Sequence, residues 1–129
     1  IYGPFQQKNK LIPYVVSNAK KNKKFKVTHG NQLRDFLYIE DLVQAIFKCL
    51  NNKKINGKII NLGYGYPSKL YNIINNIVKK IGNGLPLFGK KHNLFLENLN
   101  LYPDISKAKK LLKWKPKINL QSGINKILR

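Results

Sequence analysis

The sequence of 129 residues contains no methionine and a single cysteine, Cys49. One thiol cannot form an internal disulfide or a thiolate metal cluster, so neither is expected to stabilise the fold. Cys49 falls on the apolar side of a predicted helix, which favours a small buried side chain over a nucleophile. Because the sequence begins at Ile1 rather than at methionine, we expect that an upstream part of the protein is missing from it.

Long apolar runs are also absent. No stretch approaches the roughly 20 apolar residues that a membrane-spanning helix requires. The first residues do not follow the charged-then-apolar pattern of a signal sequence. These absences predict a cytoplasmic protein without a membrane partner.

Acidic residues and arginines are scarce. The chain has 25 basic and 5 acidic residues, a net charge of +20, and its only arginines are Arg34 and Arg129. Nucleic-acid surfaces favour clustered arginine and interleaved aromatics, whereas these lysines are spread along the chain. The excess of lysine, asparagine and isoleucine is typical of an AT-rich genome. We therefore expect no specific nucleic-acid partner, with a basic nucleic-acid-binding module as an alternative.

Helical patterns alternate with short strand patterns. The strands are predicted at 25–27, 34–39 and 59–62, because these runs are rich in β-branched and aromatic residues. Helical spacing of apolar residues predicts five helices. Pro13 lies in the opening turn of the first, Glu40 opens the second, the third and fourth follow Ser68 and Asp104, and the last contains Leu120. Ser68 and Asp104 are predicted to cap their helices. The clearest apolar stripe runs from Leu70 to Ile81.

The run Ile59–Leu62 is a short apolar strand between two helices, which is typical of a parallel sheet covered on both faces. No other segment of the sequence resembles a parallel partner for it. We therefore expect its partners upstream of Ile1, and a chain that is not an independent folding unit. The expected fold class is α/β.

Six motifs in order resemble the second half of an extended short-chain dehydrogenase/reductase acting on a nucleotide-sugar, of the NAD-dependent epimerase/dehydratase family. They are Tyr2-Gly3-Pro4, Leu11-Ile12-Pro13, the run from Arg34 to Asp41, the run from Asn61 to Gly65, the run from Asp104 to Ala108, and Trp114-Lys115-Pro116. Any one of them is weak, but their order and spacing over nearly the whole chain make the resemblance strong.

The resemblance implies that residues 1–129 form the C-terminal part of a Rossmann-type fold with a small mixed α/β substrate-binding lobe. In this family an N-terminal part binds NAD or NADP through a glycine-rich loop and carries a catalytic Tyr and Lys four residues apart. No Tyr in this chain is followed by Lys at that spacing. Gly63-Tyr64-Gly65 lacks the third glycine of a dinucleotide fingerprint, which favours a tight turn.

The implied function is therefore the nucleotide-sugar-binding part of an epimerase, dehydratase or reductase of surface polysaccharide synthesis. The chain itself is expected to be inactive. The implied partner is a nucleoside-diphosphate sugar, and the longer protein is expected to be a homodimer. A non-catalytic pseudo-enzyme is a further alternative.

The resemblance also assigns substrate-binding residues. Arg34 matches an arginine that binds the diphosphate, where a guanidinium fork fits phosphate oxygens. An intramolecular pair with Asp35 or Glu40 is the structural alternative. Leu11, at the start of the first helix, matches a position near the nucleotide, where phosphates can use helix N–H groups. Lys26 and Thr28 match residues of the base pocket, with an ordinary edge strand as the alternative.

The sequence departs from the family pattern at one place. The family places an arginine for the diphosphate three residues before an acid that binds a ribose hydroxyl. Alignment assigns the acid to Glu97 and the arginine position to Leu94. Lys90 or Lys91 is a candidate replacement, although an ammonium group is a poorer bidentate partner than a guanidinium.

Overall fold

The structure is a computed structural model that describes residues 1–50, 52–91 and 98–129. The chain divides into two compact units. We call Ile1–Pro4, Asp35–Pro67 and Tyr102–Arg129 the terminal unit, because it contains both chain ends. We call Phe5–Arg34 and Ser68–Leu101 the cavity unit.

The cavity unit combines two helices with short strands. Its elements are α1 (Leu11–Lys20), β1 (Lys24–Lys26), β2 (Leu33–Arg34), β3 (Ser68–Lys69), α3 (Leu70–Ile81), β4 (Leu85–Leu87) and β5 (Asn100–Leu101). Strand β1 pairs with β4 in parallel. Strand β2 lies between β3, which is antiparallel to it, and β5, which is parallel.

Helices α1 and α3 pack against each other, with their first residues at one end of the pair and their last residues at the other. Their first residues, Leu11 and Leu70, line one cavity. At the opposite end, Gly84 adopts a φ of +90° and approaches Ala19 so closely that a Cβ atom would lie 2.7 Å from the Ala19 Cα. The buried side chains Ile73, Ile74 and Ile77 of α3 confirm the apolar stripe predicted from the sequence.

The terminal unit is built around helices α2 (Ile39–Leu50), α4 (Ser106–Leu112) and α5 (Leu120–Leu128), with a 3₁₀ turn at Lys53–Ile55. Its core contains Leu37, Ala45, Ala108, Leu112 and Trp114. The half-buried Cys49 packs against this core, as expected for a small apolar side chain.

Two predicted strands differ in the structure. The strand predicted at 34–39 is shorter, since β2 ends at Arg34 and only an isolated parallel bridge joins Tyr38 to Tyr2. The ladder stops before Asp35, whose carboxylate accepts hydrogen bonds from the backbone N–H groups of Tyr64 and Gly65. No strand is formed over 59–62, because no ladder partner for this segment lies among the described residues.

The predicted helix caps also had different outcomes. Ser68 is not a cap, because Ser68 and Lys69 form β3 and pair with β2 before α3 begins. The Asp104 carboxylate accepts hydrogen bonds from the backbone N–H and the hydroxyl of Ser106, at 2.8 and 3.0 Å. These bonds lower the pKa of Asp104. Asp104 is nevertheless not the N-cap that the sequence predicted, because α4 begins at Ser106 and its N-cap position is Ile105.

Candidate functional site

A cavity of about 190 Å³ lies in the cavity unit. Three residues that the family resemblance assigns to the nucleotide, Leu11, Lys26 and Thr28, line it together. The other described lining residues are polar, aromatic or aliphatic side chains of the same unit, which are Asn9, Tyr14, Val27, Gln32, Leu70, Ile74 and Lys91.

The first turn of α1 gives the cavity a positive end. Leu11 is the first residue of this helix, and no described side chain caps it at Lys10. Its first turn contains no acidic residue. The N–H groups of a helix N-terminus carry partial positive charge and form hydrogen bonds to anions. This end of the cavity can therefore receive a phosphate or carboxylate oxygen.

Helix α3 also begins at the cavity, but its first N–H groups have partners. The Leu70 N–H donates to the Gln32 carbonyl at 3.1 Å, and the Tyr71 N–H donates to the Gly30 carbonyl at 2.9 Å. Gly30 has a φ of +77°, and a Cβ atom there would lie 2.8 Å from the Tyr71 nitrogen. Only glycine brings the two segments this close, so Gly30 fixes Gln32 against α3.

The side chains of Thr28 and Gln32 form a polar part of the cavity wall. Gln32 is 1% exposed, and its amide lies 3.4 Å from the Thr28 hydroxyl. This distance is longer than a strong hydrogen bond, so the contact between them is weak.

Two lysines add charge to the cavity. Lys26 follows the buried Phe25 on β1, and the Tyr14 hydroxyl donates to the Lys26 carbonyl at 3.2 Å. The Lys91 N–H donates to the Val27 carbonyl, and its ammonium nitrogen lies 5.9 Å from the centre of the Tyr14 ring. The part of the chain that the structure describes contributes no carboxylate to the lining. The cavity is therefore electropositive.

Arg34 is not among the described residues that line this cavity, although Gln32, two positions earlier, is. The guanidinium of Arg34 donates to the Leu33 and Leu99 carbonyls, at 2.9 and 3.3 Å. Its role in diphosphate binding stays a prediction.

The two acids of the structural alternative have contacts of their own. Glu40 forms an ion pair with Lys126 at 2.7 Å. The Asp35 carboxylate accepts from the Tyr64 and Gly65 N–H groups at 2.7 and 2.6 Å.

Glu97 and Leu94 lie outside the described residues, so the predicted ribose contact is not located. Lys91, which the sequence offered as a replacement for an arginine at Leu94, lines the cavity. Tyr14 and Gln32 were missed by sequence reasoning. The sequence signal that could have identified Tyr14 as a cavity residue is its position three residues after Leu11, which places both on one face of α1.

The turn at Gly63-Tyr64-Gly65 does not fit a dinucleotide. A phosphate-binding turn offers its N–H groups to the ligand. Here the Tyr64 and Gly65 N–H groups donate instead to the Asp35 carboxylate of the same chain. A Cβ atom at Gly63 would overlap Pro103, so the glycine there serves close packing. The prediction of a tight turn agrees with this geometry.

The described residues contain no group of three or more His, Cys, Asp or Glu side chains that could hold a metal ion. None of their helices is long and apolar enough to cross a membrane.

Comparison with known proteins gives matches over the whole chain. Residues 1–63 match the profile of the NAD dependent epimerase/dehydratase family. A UDP-glucuronate 4-epimerase of Thermodesulfobacterium geofontis is 32% identical over 98% of this chain and 39% of its own length. A dTDP-glucose 4,6-dehydratase of Escherichia coli is 28% identical over 97% of this chain and 37% of its own length.

A solved structure matches as well. The UDP-glucuronic acid 4-epimerase from Bacillus cereus, in complex with UDP-glucuronic acid and NAD, has a TM-score of 0.88 and 29% identity. The match covers 98% of this chain and 41% of that one. The chain thus spans about two fifths of the length of the curated relatives it matches.

Proposed function

The chain belongs to the NAD dependent epimerase/dehydratase family, and on this premise we propose that its cavity unit binds the nucleoside diphosphate of a nucleotide-sugar. The matches confirm the family resemblance and the Rossmann-type α/β fold class predicted from the sequence. One observation carries the proposal: Leu11, Lys26 and Thr28, which the sequence motifs assign to the nucleotide, line one cavity.

The size and polarity of the cavity support a nucleobase as one part of the ligand. A cavity of about 150 Å³ is enough for benzene, so the present volume has room for one flat ring. Val27, Leu70 and Ile74 supply apolar surface for the faces of the ring. The Thr28 hydroxyl and the Gln32 amide supply donors and acceptors for its edge.

The diphosphate is proposed to lie between the start of α1 and cationic side chains. The uncapped first turn at Leu11 and the ammonium groups of Lys26 and Lys91 all favour an anion. Arg34 is proposed as the bidentate phosphate ligand of the family motif. Glu97 is proposed as the ribose ligand.

The cofactor and the proton-transfer residues are proposed to lie outside this chain. The relatives include NAD-dependent enzymes, yet the Gly63-Tyr64-Gly65 turn does not fit NAD because its N–H groups bind Asp35. The protein as a whole is proposed to epimerise, dehydrate or reduce the sugar in the cytoplasm, for surface polysaccharide synthesis. This chain would contribute binding energy that orients the sugar.

A calorimetric titration of the chain with UDP tests the proposal. Lys26→Ala removes a charge from the cavity and is expected to weaken UDP binding by about tenfold. Lys24→Ala is the matched control, since Lys24 lies on the same strand and is exposed but does not line the cavity. NAD is expected not to bind.

Two results would contradict the proposal. One is a folded chain, verified by circular dichroism, that does not bind UDP at millimolar concentration. The other is an equal loss of affinity in Lys24→Ala and Lys26→Ala, which would indicate general charge attraction.

A further inference from the structure

Tyr14 contacts three different parts of the cavity unit. It lines the cavity from the first turn of α1, and its ring meets the buried Phe25 ring edge to face, with centroids 5.8 Å apart. Its hydroxyl donates to the Lys26 carbonyl at 3.2 Å. The Lys91 ammonium nitrogen lies 5.9 Å from the centre of its ring. One side chain thus joins α1, β1 and the segment that follows β4.

The backbone of Lys91 is fixed beside β1. The Val27 N–H donates to the Leu87 carbonyl, and the Lys91 N–H donates to the Val27 carbonyl, both at 3.1 Å. Between these two bonds the chain turns at Gly89, which has a φ of +70° and packs against the His29 ring. A side chain at this position would be strained, so the glycine allows the turn that returns Lys91 to the cavity.

The start of α1 has few N–H groups left for an anion. Pro13 lacks an N–H, and the Tyr14 N–H donates to the Lys10 carbonyl at 2.9 Å. Of the first four residues of the helix, only Leu11 and Ile12 can therefore offer an N–H to a ligand. A diphosphate bound at this end of the cavity would need cationic side chains as well.

A lysine serves this purpose best when its side chain is already held in place. The Lys91 side chain is exposed, and ordering a flexible side chain at the moment of binding lowers affinity. The face of an aromatic ring attracts an ammonium group that lies within about 6 Å of its centre. An ammonium group held in this way keeps N–H donors for phosphate oxygens. The Tyr14 ring can thus order Lys91 before a ligand arrives.

We propose that Tyr14 is a positioning residue, whose ring holds the Lys91 ammonium group at the start of α1 for the phosphates of the ligand. This proposal rests on the proposed function, because it assigns Lys91 to the diphosphate. It adds the contact that prepares this lysine for binding.

A double-mutant cycle on UDP affinity, measured by calorimetry, tests the proposal. Lys91→Ala is expected to weaken UDP binding about tenfold. Tyr14→Leu is expected to weaken it about three- to tenfold, the range of a cation–π contact. In the Lys91→Ala background the further loss from Tyr14→Leu is expected to be less than about twofold, because no ammonium group remains to be held. Losses that multiply in the double variant would overturn the proposal.

Two matched controls separate the ring from the hydroxyl and Lys91 from its neighbour. Tyr14→Phe keeps the ring and loses only a hydrogen bond that is longer than usual for a hydroxyl donor, so UDP affinity is expected to stay within about twofold of the wild type. Lys90→Ala removes a charge that is not among the described lining of the cavity and is expected to have an equally small effect. A loss in Tyr14→Phe as large as that in Tyr14→Leu would overturn the proposal.

Uridine, which has no phosphate, separates positioning from packing. Tyr14→Leu is expected to leave uridine affinity unchanged, since the loss concerns the phosphates alone. Equal losses for uridine and UDP would mean that Tyr14 contacts the base or supports the whole cavity, and would overturn the proposal. Melting curves by circular dichroism verify that each variant is folded.

Proton NMR of the wild-type chain tests the contact without any substitution and without UDP, so it decides even where Tyr14→Leu does not fold. The ring current of Tyr14 is expected to shift the Lys91 Cε protons upfield of those of Lys90. Equal shifts for the two lysines would overturn the proposal.

Failure of the proposed function gives a different result. A folded wild-type chain that does not bind UDP at millimolar concentration contradicts the proposed function and the role of Tyr14 with it. UDP binding that is weakened by Lys26→Ala but not by Tyr14→Leu or Lys91→Ala contradicts the role of Tyr14 alone.

Discussion

The terminal unit and the cavity unit contain similar numbers of cationic residues but differ in their acidic residues. The terminal unit contains four of the five acidic residues, and each has a defined contact: Asp35, Glu40, Asp41 and Asp104 bind backbone N–H groups, a hydroxyl or Lys126. The cavity unit has twelve lysines and Arg34, with Glu97 as its single acid in the sequence.

This difference separates residues that hold the fold from residues that attract a ligand. Carboxylates in the terminal unit satisfy backbone donors at turns and helix starts, so their loss should lower stability. Lys26 and Lys91 of the cavity unit line a cavity with no described carboxylate, so their loss should lower affinity for anions. Each of the following substitutions tests whether the two effects are separate.

Asp41→Ala in the terminal unit is expected to have the largest effect. This carboxylate is fully buried and accepts from the Lys117 and Ile118 N–H groups at 3.0 and 2.8 Å. Removing it leaves two part-buried N–H donors without their charged acceptor. The free energy of unfolding is expected to fall by about 3–5 kcal/mol, measured by urea unfolding.

Glu40→Ala is the control for Asp41→Ala, since Glu40 is the neighbouring acid and its ion pair with Lys126 is exposed. It is expected to change stability little, because exposed ion pairs contribute little. Equal effects of the two substitutions would contradict the proposed contribution of the Asp41 hydrogen bonds to stability.

Arg34→Ala in the cavity unit is expected to reduce affinity with little effect on stability. Loss of charge-assisted hydrogen bonds of about 1.5–3 kcal/mol corresponds to a ten- to hundredfold weaker binding of nucleoside diphosphate. Arg34→Lys should recover only part of the loss, because a point charge cannot contact two oxygens as a fork does. Titration with UDP and melting curves measure the two effects.

A loss of stability without a loss of affinity in Arg34→Ala would indicate a structural role for Arg34. Because its guanidinium bonds to the Leu33 and Leu99 carbonyls, a purely structural residue would show a lower melting temperature and normal affinity. Unchanged affinity in a well-folded Arg34→Ala chain would end the phosphate assignment.

Tyr2→Phe in the terminal unit is expected to have the smallest effect and to show it only at alkaline pH. Burial raises the pKa of the Tyr2 hydroxyl far above its usual range, and the nearby Tyr38 and Asp41 raise it further. Above a pH of about 10 the unfolded state loses this proton while the folded state keeps it, so the free energy of unfolding falls by about 1.4 kcal/mol per pH unit.

Phenylalanine removes this contribution, so the loss of stability above pH 10 should be smaller in Tyr2→Phe than in the wild type. At neutral pH the change should be close to neutral, because the hydroxyl is buried without a hydrogen-bond partner among the described residues. Tyr66→Phe, at a 70% exposed position, is the control for general alkaline effects. The same slope in Tyr2→Phe and wild type would contradict the prediction.

The sequence predicted the helices better than the strands. Apolar spacing identified α3 because a helix forms its hydrogen bonds within itself, and the stripe of Ile73, Ile74 and Ile77 depends only on local sequence. The strands depend on partners distant in sequence. The segment 59–62 has strand composition but no ladder among the described residues, and Ser68 joins β3 because β2 lies beside it.

The candidate site was also predictable in part. Leu11, Lys26 and Thr28 came from motif positions, and the structure brings them to one cavity. Gln32 could not be found this way, because it reaches the cavity through the left-handed turn at Gly30 and the bond from Leu70. Such a contact joins residues 38 positions apart, which no local pattern encodes.

The common direction of α1 and α3 affects how fast a phosphate-bearing ligand would reach the cavity. Each helix N-terminus is equivalent to about half a positive charge, and both lie at the cavity with Lys26 and Lys91. The negative helix ends lie at the opposite side, where Lys20 and Lys79–Lys80 offset them. The positive groups at the cavity would therefore attract an approaching anion, so capture would be accelerated by long-range steering. Because salt screens such steering beyond about 8 Å at physiological ionic strength, the association rate would depend on salt more strongly than the dissociation rate.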